Sequence, residues 1–502
     1  MFFSKNEKPN TNWLNQYFKF NISGLEKNLT RKKETYWQSL GQKNALEIFH
    51  AAAEKVPAYK DFLKKNKVIH AKIKTIADFS QIPPTDKQNY IQTYSLNQRS
   101  WHGQVTDSKL IASSSGTSGS PNYWPRGGGQ EYEAAITHEL LFRQLFNIQK
   151  LKTLCIVGFP MGVYVSGMAT SLPLWVLSQK YNLSLLSAGN NKTEVLKAVK
   201  NLGKNFEQIL LVGHPFFIKD VLETGKAEGV DWKKTKVGMM FCSEGFSEAW
   251  REYLLKEAGL NGARAYNTYG SSEMLLMAYE TQTSIQVRKL LEQQKSAAYE
   301  LLGNAQVPNL FQYNPALRFI EEKGKELLFT SASGLPLIRF NLHDAGKILS
   351  REKVLGTAEK YKPEIAKHEG WQLPFVSLEG RSDYTVIFYA ANIYPQHIHA
   401  GLGNAGFISK ITGKFTMTKG YRKNMDEYLE INIELRQKVK INGKLRHHIQ
   451  KTIVEKLKEI NAEYNFLWQN LNKDIRPQIK LWQYQHPKYF TPGLKPHYIA
   501  NP

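Results

Sequence analysis

Between residues 150 and 270, short apolar runs alternate with amphipathic stretches. Thr153–Val157, Ser184–Leu186, Ile209–Val212 and Val237–Phe241 have the length and content of strands, and 193–202 and 216–222 read as helices between them. Strands alternating with helices predict an α/β sheet covered by helices, with any ligand at the carboxyl ends of the strands. Upstream, Trp37, Leu40, Ala45, Phe49 and Ala52 recur near helical spacing, so the chain is expected to start helical over about 1–75, with a break at Pro57. Ile82–Lys87 reads as a turn followed by a helix start, and 281–320 as polar and irregular. Near 380 the texture changes. Two strand candidates, Phe415–Thr418 and Tyr428–Leu435, precede an amphipathic helix with Ile449, Ile453, Leu457 and Ile460 on one face. The pattern predicts a large α/β domain over 1–379 and a smaller α+β domain over 380–502.

Composition narrows this picture a little. A hydrophobic content of 42% supports sizeable cores and excludes global disorder. Residues Thr153–Ser178 carry no charge, enough to span a bilayer, but Pro160, Pro173 and several glycines and serines fit a buried strand, loop and helix better. No secretion signal is evident in residues 1–10. Cys155 and Cys242 have no metal or redox spacing, which points to reduced thiols and a cytoplasmic protein. The net charge of +23 comes from basic residues interspersed with acidic ones, and no nucleic-acid signature accompanies it. No nucleic-acid partner and no stable membrane span are expected. A homodimer is left open.

The most telling chemistry lies in Ser113–Pro121, a run of hydroxyls with two glycines directly after the apolar Leu110–Ala112. Closely spaced backbone N–H groups and hydroxyls with little bulk can cradle phosphate oxygens. The run lacks a Walker-type Gly-Lys-Ser/Thr ending and the nucleophile-elbow spacing of hydrolases. From Ser114 to Pro121 it resembles the Ser-Ser-Gly-Thr-Thr-Gly-x-Pro phosphate loop of adenylate-forming enzymes, the superfamily of acyl- and aryl-CoA ligases.

Five further stretches match that pattern in the same order. Phe241–Phe246 resembles the Gly-Ala-Glu-Pro segment that lies against adenine. Tyr269-Gly270-Ser271-Ser272-Glu273 is similar to Tyr-Gly-x-Thr/Ser-Glu. Gly334–Asp344 resembles Leu-Pro-x-Ile-Arg-Tyr-x-Thr-Gly/Arg-Asp, with Asn341 in place of an arginine and Leu342-His343 in place of Thr-Gly/Arg. Gly380-Arg381-Ser382-Asp383, with Asn392–Ile398, resembles Gly-Arg-x-Asp-Asp and its downstream partner, although Tyr384 and Tyr389-Ala390 depart from it. Thr491–Pro496 resembles the segment bearing the C-terminal lysine. The chain as a whole resembles the phenylacetate–CoA ligase-like branch of the superfamily. Some of those relatives carry cysteine zinc ligands near 281–320. This chain has no cysteine there, so no such insertion is expected.

The resemblance implies ATP and Mg²⁺ as cofactors and a carboxylic acid as substrate, activated as an acyl-adenylate with release of pyrophosphate. It places Ser114, Ser115, Gly116, Thr117, Ser118 and Gly119 on the triphosphate. Ser243, Glu244, Gly245, Tyr269, Gly270, Ser271 and Ser272 would surround the base and α-phosphate. Asp344 would take the ribose hydroxyls, and Arg381 would join the nucleotide site. Glu273 would be the metal ligand and, with Thr117 and Lys495, catalytic. Lys488 competes with Lys495 as the adenylation lysine. Asp383 would be the hinge. Phe159, Tyr164, Ser166 and Gly167 would form a pocket for an apolar aryl or medium acyl group. Transfer to a thiol such as CoA follows from the branch. Tyr389-Ala390, standing where the branch has Arg-Gly near the thiol tunnel, keeps a carrier protein, an amine or a sugar open as acceptor. A non-catalytic nucleotide-binding homologue is the remaining alternative, motivated by Asn341 and Ala390.

Overall fold

The computed structural model describes residues 13–490 apart from 109, 115–121, 261–263, 306, 368–369, 382–384, 403–406, 408 and 472. The chain divides into two compact units. One runs to Ser114 and from Tyr123 to Gly380, and the other comprises, of the described residues, Asn122 and those from Arg381 onward.

The first unit opens with helices Trp13–Lys19, Ile22–Arg31, Glu34–Lys55 and Pro57–Lys65, so the break at Pro57 is observed. Its strands are β1 (Leu110–Ser114), β2 (Asn122–Arg126), β3 (Thr153–Gly158), β4 (Leu183–Ser187), β5 (Gln208–Gly213), β6 (Gly238–Phe241), β7 (Ala265–Ser271), β8 (Leu275–Tyr279), β9 (Asn309–Gln312), β10 (Phe319–Lys323), β11 (Glu326–Ser331), β12 (Leu337–Leu349) and β13 (Phe375–Arg381). β1 and β2 pair with each other. The other eleven form one sheet in the order β10-β11-β12-β13-β9-β8-β7-β6-β5-β3-β4. β3 to β7 run parallel, and the strands from β8 onward extend the sheet with antiparallel pairs. β3, β5 and β6 are buried at every position, as parallel strands covered on both faces must be.

The strand order reverses at β3, which lies between β4 and β5. At such a switch point, loops leave the carboxyl ends in opposite directions and open a crevice. Gly158 and Gly213 face each other there. A Cβ on Gly213 would lie 3.3 Å from the Gly158 carbonyl oxygen, and one on Gly158 would lie 2.5 Å from the Phe217 ring. The uncharged stretch 153–178 forms β3, a turn and the helix Val165–Ser178 with Pro173 inside it. Among the described residues, no helix is long and apolar enough to cross a membrane.

Residues 281–320 are not irregular. They form helices Gln282–Gln293 and Lys295–Leu302, then β9. Thr281 and Ser284 build a capping box, and Val287, Leu290, Leu291, Leu301 and Leu302 pack against Val354, Ala358 and Phe375. The segment reads as polar because part of its buried face is ionic. Arg288 is buried with its Nη1 3.3 Å from Glu248, and Arg251 reaches Glu248 at 2.9 Å and Glu280 at 2.6 Å. Glu280 also accepts the backbone N–H of Asn267 at 2.6 Å, so the cluster clamps the first half of β7.

In the second unit, β14 (Val386–Phe388) and β15 (Ala391–Ile393) form a hairpin. β16 (Ile411–Tyr421), β17 (Glu427–Leu435) and β18 (Gln478–Trp482) form a separate sheet. Helix Gly443–Ile460 buries Ile449, Ile453 and Leu457, the expected face. The two units thus have the expected fold class, a large mixed α/β unit and a smaller α+β unit.

The hairpin turn of the second unit is strained. Tyr389 and Ala390 have φ of 47° and 70°, the left-handed pair of a two-residue turn that favours Asn-Gly. Glu427 holds it: its carboxylate accepts the Tyr389 N–H at 2.6 Å, and its own N–H reaches the Tyr389 hydroxyl at 3.1 Å. Ala390→Gly is expected to raise unfolding stability by about 0.5–1 kcal/mol, since the left-handed cost of alanine exceeds the added chain entropy of glycine. Chemical denaturation checks this, and an unchanged or lower midpoint would contradict the strain.

Candidate functional site

Of the residues singled out in the sequence, Ser243–Gly245, Tyr269–Glu273 and Asp344 lie at the carboxyl ends of β6 and β7 and on the facing strand β12. β6 ends at Phe241, and the chain turns through Cys242–Gly245 with Ser243 at φ 79°. This turn is pinned to β7. Asn267 Nδ2 donates to the Glu244 carbonyl at 2.9 Å, and Thr268 Oγ1 donates to the Phe241 carbonyl at 2.7 Å. Gly245 has no room for a side chain, because a Cβ would lie 2.2 Å from Asn309 Nδ2. The Ser243–Gly245 backbone therefore stands as a wall beside the end of β7.

Tyr269 lies on β7 with its ring 6.2 Å from Phe311 and 6.0 Å from Phe329. Its hydroxyl donates to Asp344 Oδ2. Tyr269, expected near the base and α-phosphate, thus meets the carboxylate expected to take the ribose hydroxyls. At Gly270 a Cβ would lie 2.8 Å from the Leu275 carbonyl oxygen and 3.4 Å from Cys242 Sγ, so the position needs glycine for the β7–β8 hairpin to close against the β6 turn. Ser271 Oγ accepts the Met274 N–H at 3.2 Å, shaping the turn that carries Ser272 and Glu273.

Glu273 is 5% exposed. Its Oε1 lies 3.1 Å from Lys87 Nζ. Burial alone would push this carboxyl up, but the Lys87 ammonium, the backbone and the Ser271 hydroxyl together hold it below the usual glutamate range. Lys87 was not among the sequence-derived site residues. The helix start at Asp86 is visible in the sequence, and Asp86 does cap the Lys87–Ile91 turn. The partner of Lys87, on a distant strand pair, is not visible there.

Ser114 closes β1, and its Oγ accepts Trp124 Nε1–H at 2.8 Å. One residue earlier, the Ser113 N–H reaches the Val163 carbonyl at 2.8 Å, fastening this strand to the loop that ends at Tyr164. Tyr164 and Ser166 are half-buried at the start of helix Val165–Ser178. Phe159 is buried in the apolar cluster with Phe142 and Leu177. A Cβ on Gly167 would lie 2.3 Å from the Pro160 carbonyl oxygen, so Gly167 packs the helix onto its preceding loop. Arg381 ends β13 after Gly380, whose φ is 125°. Lys488 is exposed, with Nζ 5.2 Å from the Tyr489 ring centroid. Ser115, Gly116, Thr117, Ser118, Gly119, Asp383 and Lys495 lie outside the described residues.

Among the described residues, no group of three or more His, Cys, Asp or Glu could hold a metal ion. Glu273 offers one buried, ionised carboxylate. That fits Mg²⁺ shared with substrate phosphates rather than a metal caged by protein.

The fold of a large mixed α/β unit and a smaller α+β unit can be compared with known proteins. No family model and no curated protein matches the chain. Solved structures of 2-hydroxyisobutyryl-CoA ligase do. The complex with 2-HIB-AMP and CoA in the thioesterification state matches with a TM-score of 0.61 at 14% identity, over 93% of this chain and 91% of that chain. An open conformation with the same ligands matches with a TM-score of 0.54 at 12% identity, over 93% and 91%. At these identities the likeness establishes the fold.

Proposed function

We propose that this protein activates a carboxylic acid with ATP, forming an acyl-adenylate and pyrophosphate, and then transfers the acyl group to an acceptor with release of AMP. The observation that carries the reading is the convergence of Tyr269, Asp344, Glu273 and the Ser243–Gly245 wall at one end of the sheet. Asp344 would bind the ribose hydroxyls, since a carboxylate can accept two donors at once. Ser243–Gly245 would line the base. Glu273 would hold Mg²⁺, which when bound screens the charge of the phosphates. Lys87, already beside Glu273, would meet phosphate oxygens once Glu273 is engaged.

In the first step a substrate carboxylate oxygen attacks the α-phosphorus, the new P–O bond forms, and the bond to the β,γ-diphosphate breaks with its electrons leaving on pyrophosphate. Lys495 would neutralise charge on the reacting oxygens, and Asp383 would be the hinge between two half-reactions. The phenylacetate–CoA ligase-like motifs favour an aryl or apolar acid. The fold match to a ligase solved with an acyl-AMP and CoA favours a CoA thiol as acceptor. The strained Tyr389-Ala390 turn is the specific feature that favours a different acceptor.

Pyrophosphate exchange into ATP, measured with a panel of aromatic and aliphatic acids, tests the first step. Exchange with at least one acid, abolished in Lys495→Ala, is the expected result. No exchange with any acid would overturn the reading in favour of a non-catalytic nucleotide binder. Product analysis with CoA, amines and carrier proteins then identifies the acceptor.

A further inference from the structure

Asn341 and His343 depart from the adenylate-forming pattern, and in the fold they are joined. Asn341 Nδ2 donates to Glu326 Oε2 at 2.7 Å, and His343 Nδ1 lies 3.1 Å from Glu326 Oε1. The Asn341 side-chain oxygen accepts the His343 backbone N–H at 2.7 Å. These contacts sit at an irregularity in the β11–β12 ladder. Glu326 pairs with Ala345 and Leu328 pairs with Asn341, so Leu342, His343 and Asp344 stand opposite Leu327 alone. His343 has φ 63°, a conformation that costs a side-chain-bearing residue about 1–2 kcal/mol. A bulge of this kind re-aims the side chains it carries. The side chain it carries here is Asp344, which accepts the Tyr269 hydroxyl.

The same strand holds the segment leading to Lys87. The Asn341 N–H donates to the Thr85 carbonyl at 2.7 Å, and Thr85 Oγ1 donates to the Ile338 carbonyl at 2.9 Å. Asn341 thus touches both arms of the site, through its backbone toward Lys87 and through its side chain toward Asp344.

We propose that Glu326 is a positioning residue for nucleotide recognition. Its two oxygens grip Asn341 and His343, keep His343 left-handed, and so hold the bulge that presents Asp344 to the ribose diol. The inference rests on the reading of Asp344 as the ribose-binding carboxylate. Glycine would supply the left-handed backbone without help. In this chain the histidine is held in that conformation by a carboxylate from the neighbouring strand.

The test compares the affinity of the full chain for ATP and for 2′,3′-dideoxy-ATP by calorimetry. Wild type is expected to prefer ATP by about tenfold or more, the effect of hydrogen bonds to a charged acceptor. Glu326→Ala is expected to bring that preference to within about twofold while leaving dideoxy-ATP binding unchanged, since only the diol contact is lost. Glu326 is 29% exposed at its side chain, so folding should survive, and Glu326→Gln preserves its shape as a second variant with an intermediate preference. In a His343→Gly background, Glu326→Ala should cost severalfold less, because the glycine bulge no longer depends on the grip. A wild-type preference that persists in Glu326→Ala overturns the proposal. So does equal weakening of both nucleotides, or the absence of rescue by His343→Gly. A wild type that does not distinguish the two nucleotides overturns the reading of Asp344 itself, and the proposal with it.

Discussion

Glu273→Gln is expected to lower carboxylate-dependent ATP–pyrophosphate exchange by about a hundredfold or more, the scale of several kcal/mol of phosphate-charge stabilisation. The substitution keeps the shape of the side chain and removes its charge. Lys87, whose side chain is 33% exposed, can turn to solvent, so thermal stability should change little. The sign of the titration supports using a neutral pH for the assay. Burial raises the Glu273 carboxyl, but Lys87 and the hydrogen bonds from the backbone and Ser271 outweigh it, so the folded protein favours the ionised form. That contribution is complete above the ordinary carboxylate range and is lost only as pH falls through the lowered folded value. Protonation of Glu273 therefore does not shape activity near neutrality. Exchange within threefold of wild type would show that Glu273 does not hold the metal.

Glu280→Ala is expected to cost about 3–5 kcal/mol of stability. Arg251 and Arg288 are both buried, and among the described residues the change leaves Glu248 as the buried carboxylate shared between them. It also strips the Asn267 N–H of its acceptor, at the strand that carries Tyr269. Glu292→Ala is the control. It faces Arg288 at 3.8 Å and is partly exposed, so its loss should cost no more than about 1 kcal/mol. Urea unfolding of both variants checks the contrast, and a cost below about 1 kcal/mol for Glu280→Ala would show that the cluster is not what clamps β7.

Four of the parallel strands, β3 to β6, were legible because each holds a short, largely apolar run, and β3, β5 and β6 bury every residue; β7, with Asn267 and Thr268 inside it, was not. Tyr269, Glu273 and Asp344 stood out because their local motifs resemble those of adenylate-forming enzymes in the same order, and the fold places Tyr269 on Asp344. Three further features were not legible. Helix Gln282–Gln293 presents Ser284 and Arg288 to the interior, so its buried face does not look apolar. Lys87 acquires its meaning from Glu273, far away in sequence. Glu326 looks like a surface glutamate at a strand start until the bulge opposite it is seen. Each depends on a charged group whose partner comes from another element, which local periodicity does not encode.

The bond from Tyr269 to Asp344 has a thermodynamic consequence. A carboxylate that swings freely must surrender rotational freedom whenever it captures a hydroxyl pair, and that loss weakens capture. Here one oxygen is already anchored by a phenol wedged near Phe311 and Phe329, so the rotor is arrested before any guest arrives. Folding, rather than association, absorbs the entropy loss. On the proposed reading of Asp344 as the ribose carboxylate, Tyr269→Phe should therefore free this rotor and make the carboxylate a poorer host.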